Sequence, residues 1–111
     1  MRLQVKGKNL EVTAALREYA EAKLAKLERQ LADETQIEVE LSEERNPSIH
    51  EGHVAQGTIF AKGTTLHARE ASTDIRASID QLAENLERQV KRYREKRTEE
   101  PRRRAPHHGV E

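Results

Sequence analysis

The 111-residue sequence contains no cysteine and no tryptophan, and only two tyrosines and one phenylalanine supply its aromatic rings. Without cysteine there are no disulfides, thiolate nucleophiles or Cys-ligated zinc sites, which suits a reducing compartment. No apolar stretch approaches the roughly 18 residues that a membrane span needs, and the N-terminus lacks the apolar core of a signal peptide. We therefore expect a soluble, cytoplasmic protein of one domain without a membrane partner.

Net charge is also absent, because 20 Lys and Arg residues balance 20 Asp and Glu residues. This balance excludes a uniformly basic nucleic-acid-binding protein. The charges are nevertheless segregated along the chain. Residues 33–51 contain seven acidic residues and one basic residue, whereas residues 88–104 contain nine basic and three acidic residues. Such segregation predicts a polar surface that binds a partner, and chance clustering in a charge-rich sequence is the alternative.

The hydrophobic pattern predicts six elements in the order β-α-β-β-β-α. Alternation of apolar and polar residues, together with segments rich in β-forming residues, predicts strands at 2–8, 36–42, 53–61 and 64–72. A tight turn is predicted at Lys62 and Gly63. Apolar residues at three- and four-residue spacing predict one helix from a Thr13 cap to about Leu31 and another from 72–74 to about Lys96.

Each predicted element has one apolar face, and such elements pack most economically as two layers. We therefore predict an α+β domain over residues 1–97, in which a four-stranded sheet carries both helices on one face, as in double-stranded-RNA-binding folds. Residues 98–111 contain two prolines and three consecutive arginines without any periodicity. This composition predicts a disordered basic C-terminal tail.

A helical projection separates acidic from basic side chains on both predicted helices. One flank of the first helix carries Lys23 and Lys26 and no acidic residue. The acid-free flank of the second helix includes two amides and three cations, namely Asn85, Arg88, Gln89, Arg92 and Lys96. Faces that serve only solubility usually mix both signs, because opposite charges four residues apart attract each other.

If the two acid-free flanks face each other, they form a positive groove between the helices. Lysine and arginine in such a groove gain affinity for a polyanion by counterion release, and Asn85 and Gln89 supply neutral hydrogen bonds to phosphate or ribose. The alternative is that these are ordinary solvated helix faces, on which exposed charges contribute little.

The scarcity of aromatic residues restricts how RNA could be recognised. Tyr93 lies on the predicted apolar stripe and Phe60 is expected in the core, so no platform remains for stacking single-stranded bases. We therefore expect recognition of the shape and backbone of structured RNA.

Other chemistry is not supported by the sequence. It contains no Gly-rich phosphate loop, nucleophile motif or zinc motif. The neighbouring carboxylates Glu43 and Glu44 lie in a polar stretch, and His50 and His53 lack a third ligand at fixed spacing. We expect no enzymatic activity, cofactor, metal or small-molecule substrate.

Several segments resemble the family of ribosome hibernation-promoting factors, which includes the ribosome-associated translation inhibitors. These segments are LQVKGKNLEVT (3–13), KLAKLER (23–29), LHA (66–68), DIRASID (74–80) and LERQV (86–90). The resemblance covers roughly residues 1–97. It implies a domain that binds the small ribosomal subunit, occupies the channel of messenger and transfer RNA, contacts 16S rRNA and holds idle ribosomes inactive.

The resemblance also implies which residues contact rRNA. The basic positions of the family fall on Lys23, Lys26, Arg88, Arg92 and Lys96, which the helical projection selects independently. Asn85 stands where members often carry lysine, and Arg76 replaces a common tyrosine. Long members have a second, C-terminal domain that pairs ribosomes, for which this sequence has no room, so we expect either a short form or part of a long one.

Two other functions fit the sequence. One is a module that binds other structured RNA, such as a stem-loop or transfer RNA. The other is a protein-interaction domain that docks a partner through the acidic segment 33–51 or through the exposed face of the sheet.

Overall fold

The computed structural model describes residues 1–45, 48 and 51–107, with side chains described as far as residue 96. The strands are β1 (Arg2–Lys8), β2 (Gln36–Glu43), β3 (His53–Ala61) and β4 (Thr64–Ser72). The helices are α1 (Ala14–Leu24), a 3₁₀ helix (Ala25–Gln30) and α2 (Ile75–His107). This is the predicted β-α-β-β-β-α order, and the α+β class is confirmed.

The four strands form one mixed sheet in the order β1-β2-β3-β4. β1 and β2 are parallel, which requires the crossover that α1 and the 3₁₀ helix provide, and the other neighbours are antiparallel. α1 packs against β1, whereas α2 packs against β3 and β4. The sheet order therefore places the two helices side by side.

The core lies between this helical layer and one face of the sheet. Cross-strand register aligns Val5, Val39, Gly57 and Ala68 in one row of that face. The apolar stripes of the helices close over it and are buried at Leu16, Ala20, Leu24, Leu27, Ile79, Leu82, Ala83, Leu86 and Val90. The alternate strand residues, among them Arg2, Lys6 and Lys8, point to the opposite, exposed face.

Gly57 explains how α2 comes so close to β3. A Cβ atom at this position would lie 2.9 Å from Cδ1 of Leu86 and 3.3 Å from Cδ1 of Leu82. Both leucines are fully buried. The glycine that weakens the strand pattern in the sequence therefore makes room for the second helix.

Two residues play the local structural roles that the sequence predicts for them. Thr13 caps α1, since its Oγ1 accepts a 3.2 Å hydrogen bond from the backbone N–H of Leu16. Gly63 has a φ of 84° in the turn between β3 and β4, a conformation that glycine adopts without strain.

Three sequence-based expectations need correction. The first helix is α-helical only to Leu24 and continues as a 3₁₀ helix, in which the three-residue spacing of Leu24 and Leu27 buries both side chains. Phe60 is not in the core. Its side chain is on the exposed sheet face, where 44% of the residue is accessible, because its neighbour Ile59 takes the inward position.

The third correction concerns the end of α2, which continues to His107 rather than ending near Lys96. The prediction followed the apolar stripe, which stops at Tyr93, but the Lys-, Arg- and Glu-rich residues 94–100 that follow it have high helix propensity. The boundary between a domain at 1–97 and a tail at 98–111 stays a prediction, and residues 108–111 lie outside the described residues.

Candidate nucleic-acid interface

The orientation of α2 is fixed near its N-terminus by a buried hydroxyl. Ser78 is fully buried, and its Oγ donates a 2.6 Å hydrogen bond to the carbonyl oxygen of His53 in β3. The hydroxyl oxygens of Ser72 and Ser78 lie 2.7 Å apart, and the N–H of Asp74 donates to Ser72 Oγ at 3.2 Å. These bonds hold the first turn of α2 against the ends of β3 and β4.

A second anchor lies near the end of the described side chains of α2. The hydroxyl of Tyr93 donates a 3.0 Å hydrogen bond to the carbonyl oxygen of Lys62, in the turn between β3 and β4. With both anchors in place and the apolar stripe on the sheet, one flank of α2 faces α1 and the other faces β4. The charges on these two flanks decide where a polyanion can bind.

The flank that faces α1 carries acidic residues. Lys23 Nζ lies 3.4 Å from Asp80 Oδ1, and Lys26 Nζ lies 3.2 Å from Glu87 Oε1. We call these four residues the interhelical row. The acid-free flank of the predicted first helix thus meets the flank of α2 that carries Asp80 and Glu87, and the prediction of one positive groove between two acid-free flanks was wrong.

Tyr19 completes the contact between the helices. Its hydroxyl donates a 2.7 Å hydrogen bond to Asp80 Oδ1, and this bond, aided by partial desolvation and the negative charge of Asp80, raises the pKa of Tyr19. The guanidinium carbon of Arg76 lies 4.7 Å from the centre of the tyrosine ring, and Lys23 Nζ lies 5.6 Å from it. The guanidinium of Arg76 therefore stacks on Tyr19 of α1.

The acid-free flank of α2 faces β4 instead. We call it the outer edge, and it consists of Asn85, Arg88, Gln89, Arg92 and Lys96. Its two amides are tied to the sheet. Asn85 Nδ2 donates to Glu70 Oε2 at 2.7 Å, and Gln89 Nε2 donates to the carbonyl oxygen of His67 at 2.8 Å and to Asn85 Oδ1 at 2.9 Å.

The cations of the outer edge are exposed. Arg88, Arg92 and Lys96 are all solvent-exposed, and within residues 1–45, 48 and 51–96 none of them forms an ion pair. They differ in this respect from Lys23 and Lys26, each of which is held by a carboxylate.

A cleft of about 510 Å³ lies between the outer edge and the turn that joins β3 to β4. It is lined by Lys62, Gly63, Thr64, Leu66, Gln89, Arg92, Tyr93 and Lys96. None of the described residues that line it is acidic, and three are cationic. The structure therefore brings Arg92, Lys96 and Gln89 together as predicted, but against the hairpin rather than against α1.

Sequence reasoning missed Lys62, Asp80 and Glu87. Lys62 was identified only as a turn residue, and no sequence signal placed that turn beside α2. Asp80 and Glu87 lie outside the acid-free flank of α2, but which flank meets α1 depends on the order of the strands.

Basic side chains lie next to two of the carboxylates in the acidic segment 33–51. Glu43 Oε2 lies 3.2 Å from His53 Nε2, and Glu43 Oε1 lies 3.4 Å from Arg45. Glu44 Oε1 lies 3.0 Å from Arg69 on β4. In the described part of the chain no group of three or more His, Cys, Asp or Glu side chains is arranged to hold a metal. His50 lies outside the described residues.

No helix within the described ranges combines the length and the apolar character that crossing a membrane requires.

Comparison with known proteins gives consistent matches along most of the chain. The family model described as Sigma 54 modulation protein / S30EA ribosomal protein matches residues 3–98. A Picosynechococcus protein named ribosome hibernation promotion factor is 36% identical over 97 residues, which are 86% of this chain and 50% of that protein. The Escherichia coli ribosome hibernation promoting factor is 35% identical over 96 residues, which are 86% of this chain and 96% of the relative. The chain thus spans half the length of one relative and nearly all of the other.

Solved structures match as well. The N-terminal domain of Thermus thermophilus Protein Y has a TM-score of 0.70 at 34% identity, covering 84% of this chain and 99% of that one. A ribosomal subunit interface protein from Coxiella burnetii has a TM-score of 0.69 at 26% identity, covering 85% and 98%.

Proposed function

The chain belongs to the Sigma 54 modulation protein / S30EA ribosomal protein family, and from that premise we propose that it is a ribosome hibernation factor that inhibits translation by occupancy. It binds the small ribosomal subunit, contacts phosphates of 16S rRNA and fills the channel used by messenger and transfer RNA. No catalytic step is needed, because a protein in that channel excludes the RNAs. A ribosome-bound role places the protein in the cytoplasm.

The observation that carries this proposal is the outer edge of α2 beside the hairpin. Arg88, Arg92 and Lys96 are exposed and make no ion pair within the described side chains. A cation without a protein partner loses least when it binds a phosphate. Arg92 and Lys96 also line a cleft without acidic residues, so a folded RNA backbone meets positive charge from both the helix and the turn.

The interhelical row supplies a second, weaker contact. Lys23 and Lys26 are 44% and 48% exposed at their side chains, so both can reach a phosphate that approaches the helical layer. Each must first leave a carboxylate, which reduces what it gains. We therefore assign the larger share of the electrostatic affinity to the outer edge.

The aromatic residues do not offer a stacking surface on the helical side. Tyr19 lies between Arg76 and Lys23, and Tyr93 is bonded to the hairpin turn. Phe60 is exposed but projects from the opposite face of the sheet. This arrangement favours recognition of the shape and backbone of structured rRNA over the reading of single-stranded bases.

Co-sedimentation with purified small ribosomal subunits tests the proposal. We expect stoichiometric binding at low salt and a steep, linear fall of log K with log salt concentration, because affinity comes from phosphate contacts. An RNA duplex free in solution should compete poorly. A duplex that competes as well as the small subunit would instead identify a general module for structured RNA, and the absence of any binding would contradict the proposal.

A further inference from the structure

Two lysines are available to RNA next to α2, Lys23 in α1 and Lys26 in the 3₁₀ helix, and each already has a carboxylate of α2 beside it. Lys23 is paired with Asp80 at 3.4 Å and Lys26 with Glu87 at 3.2 Å. A phosphate that binds either lysine must take the position of a carboxylate and then remain close to its negative charge. The protein therefore contains its own competitors for the ligand that we propose.

These ion pairs are exchangeable rather than structural. The side chains of all four residues are between 40% and 48% exposed, so water screens the attraction and each pair stabilises the fold little. A pair of this kind does not define the helix packing, which the buried stripes already determine. The main effect of such a pair is on the binding of a third charged group, such as a phosphate.

The two carboxylates differ in how they are held. Asp80 also accepts the hydrogen bond of Tyr19, which keeps it in place between the helices. Glu87 has the ion pair with Lys26 as its one side-chain partner in the described part of the chain. Glu87 is therefore the residue in which competition can be measured without disturbing another contact.

We propose that Asp80 and Glu87 compete with RNA phosphates for Lys23 and Lys26 and thereby lower the affinity of the interhelical row for the ribosome. This inference rests on the proposed function and assigns the regulation of that site to two residues of the protein itself. Carboxylates in these positions repel a phosphate and so weaken binding to every polyanion. The cations of the outer edge, which form no ion pair within the described side chains, then dominate the binding. Asp80 and Glu87 thereby limit the affinity of the protein for the ribosome and favour its release.

The substitution Glu87→Gln tests this directly, because it keeps the size and polarity of the side chain and removes the charge. We expect it to tighten binding to small subunits about two- to fivefold, the range that corresponds to the loss of one exposed ion pair. The matched control is Glu84→Gln, which makes the same change of net charge on the exposed side of the same helix. Glu84 forms no ion pair within the described side chains, and we expect its effect to be clearly smaller.

The background variant Lys26→Gln shows whether Glu87 acts through Lys26. If it does, Glu87→Gln has no more effect than Glu84→Gln once Lys26 is gone. Equal effects of the two glutamate substitutions in the wild-type background, or a Glu87→Gln effect that persists without Lys26, would overturn the inference while leaving the proposed function intact. A wild-type protein that does not bind small subunits at all would overturn both.

Discussion

The hydroxyl of Tyr19 in α1 and the carboxylate of Asp80 in α2 are joined by a 2.7 Å hydrogen bond. Lys23 approaches the same oxygen of Asp80. Asp80 therefore has two partners in α1, because its carboxylate accepts a hydrogen bond from the neutral hydroxyl of Tyr19 and forms an ion pair with Lys23. Asp80 therefore contributes both to the contact between the helices and to the charge that they present.

The hydrogen bond predicts how Tyr19 titrates. Ionisation removes the donor and places a second negative charge beside Asp80, so the pKa of Tyr19 lies above its ordinary value of 10.0. A folded-state pKa that is raised means that the bond stabilises the fold fully below pH 10 and is lost as the pH rises through the folded-state pKa. Absorbance titration of tyrosinate in a Tyr93→Phe background isolates Tyr19.

The control for that titration is Asp80→Asn, which keeps an acceptor oxygen but removes the charge. We expect the pKa of Tyr19 to fall back towards 10 in this variant. The same pKa with and without the Asp80 charge would show that the bond does not persist in solution.

The buried hydroxyl of Ser78 is predicted to contribute to stability. Ser78→Ala leaves the carbonyl oxygen of His53 without its donor and removes the contact with Ser72. Loss of a buried hydrogen bond of this kind costs about 1–3 kcal/mol. Urea denaturation should show a lower midpoint, whereas Thr65→Ala, a hydroxyl deletion on the exposed sheet face, should leave the midpoint nearly unchanged. Equal stability of Ser78→Ala and the wild type would refute the role of this anchor.

The close approach at Gly57 predicts a packing conflict that a second substitution relieves. Gly57→Ala forces its Cβ into Leu86 and Leu82, and such overpacking costs about 1–3 kcal/mol. Leu86→Val removes the δ-carbon that lies nearest, so the double variant should lose less stability than the sum of the two single losses. A double-mutant cycle in denaturant measures this, and strict additivity would mean that the two side chains do not meet.

The fold was predictable from the sequence because each element carries its own signal. Alternation at Ile37, Val39 and Leu41 marks a strand, and the three- and four-residue spacing of Leu16, Ala20 and Leu24 marks a helix. Phe60 was misplaced because its hydrophobicity was given more weight than its position next to the inward-facing Ile59. The end of α2 was misplaced because the apolar stripe ends before the helix does.

The site was only partly predictable, and the reason is geometric. A helical projection fixes each flank relative to the apolar stripe of its own helix, but it does not say which flank meets the neighbouring helix. That depends on the strand order β1-β2-β3-β4, which places α1 on one side of α2 and the hairpin on the other. The projection therefore groups the outer-edge residues on one flank of α2, but it does not predict that the hairpin, and not α1, lies beside that flank.

Binding of the small ribosomal subunit by the outer edge of α2 can be tested with the double variant that combines Arg92→Gln and Lys96→Gln. These substitutions remove two charges that line the cleft while keeping helix-forming side chains. The control is Arg2→Gln with Lys8→Gln, which removes the same charge from exposed positions on the opposite face of the sheet. Sedimentation with small subunits over a range of salt concentrations measures both variants. We expect at least a tenfold loss of affinity and a shallower salt dependence for the first variant, with little change for the control. Equal affinities of the two double variants would show that the outer edge does not bind the subunit.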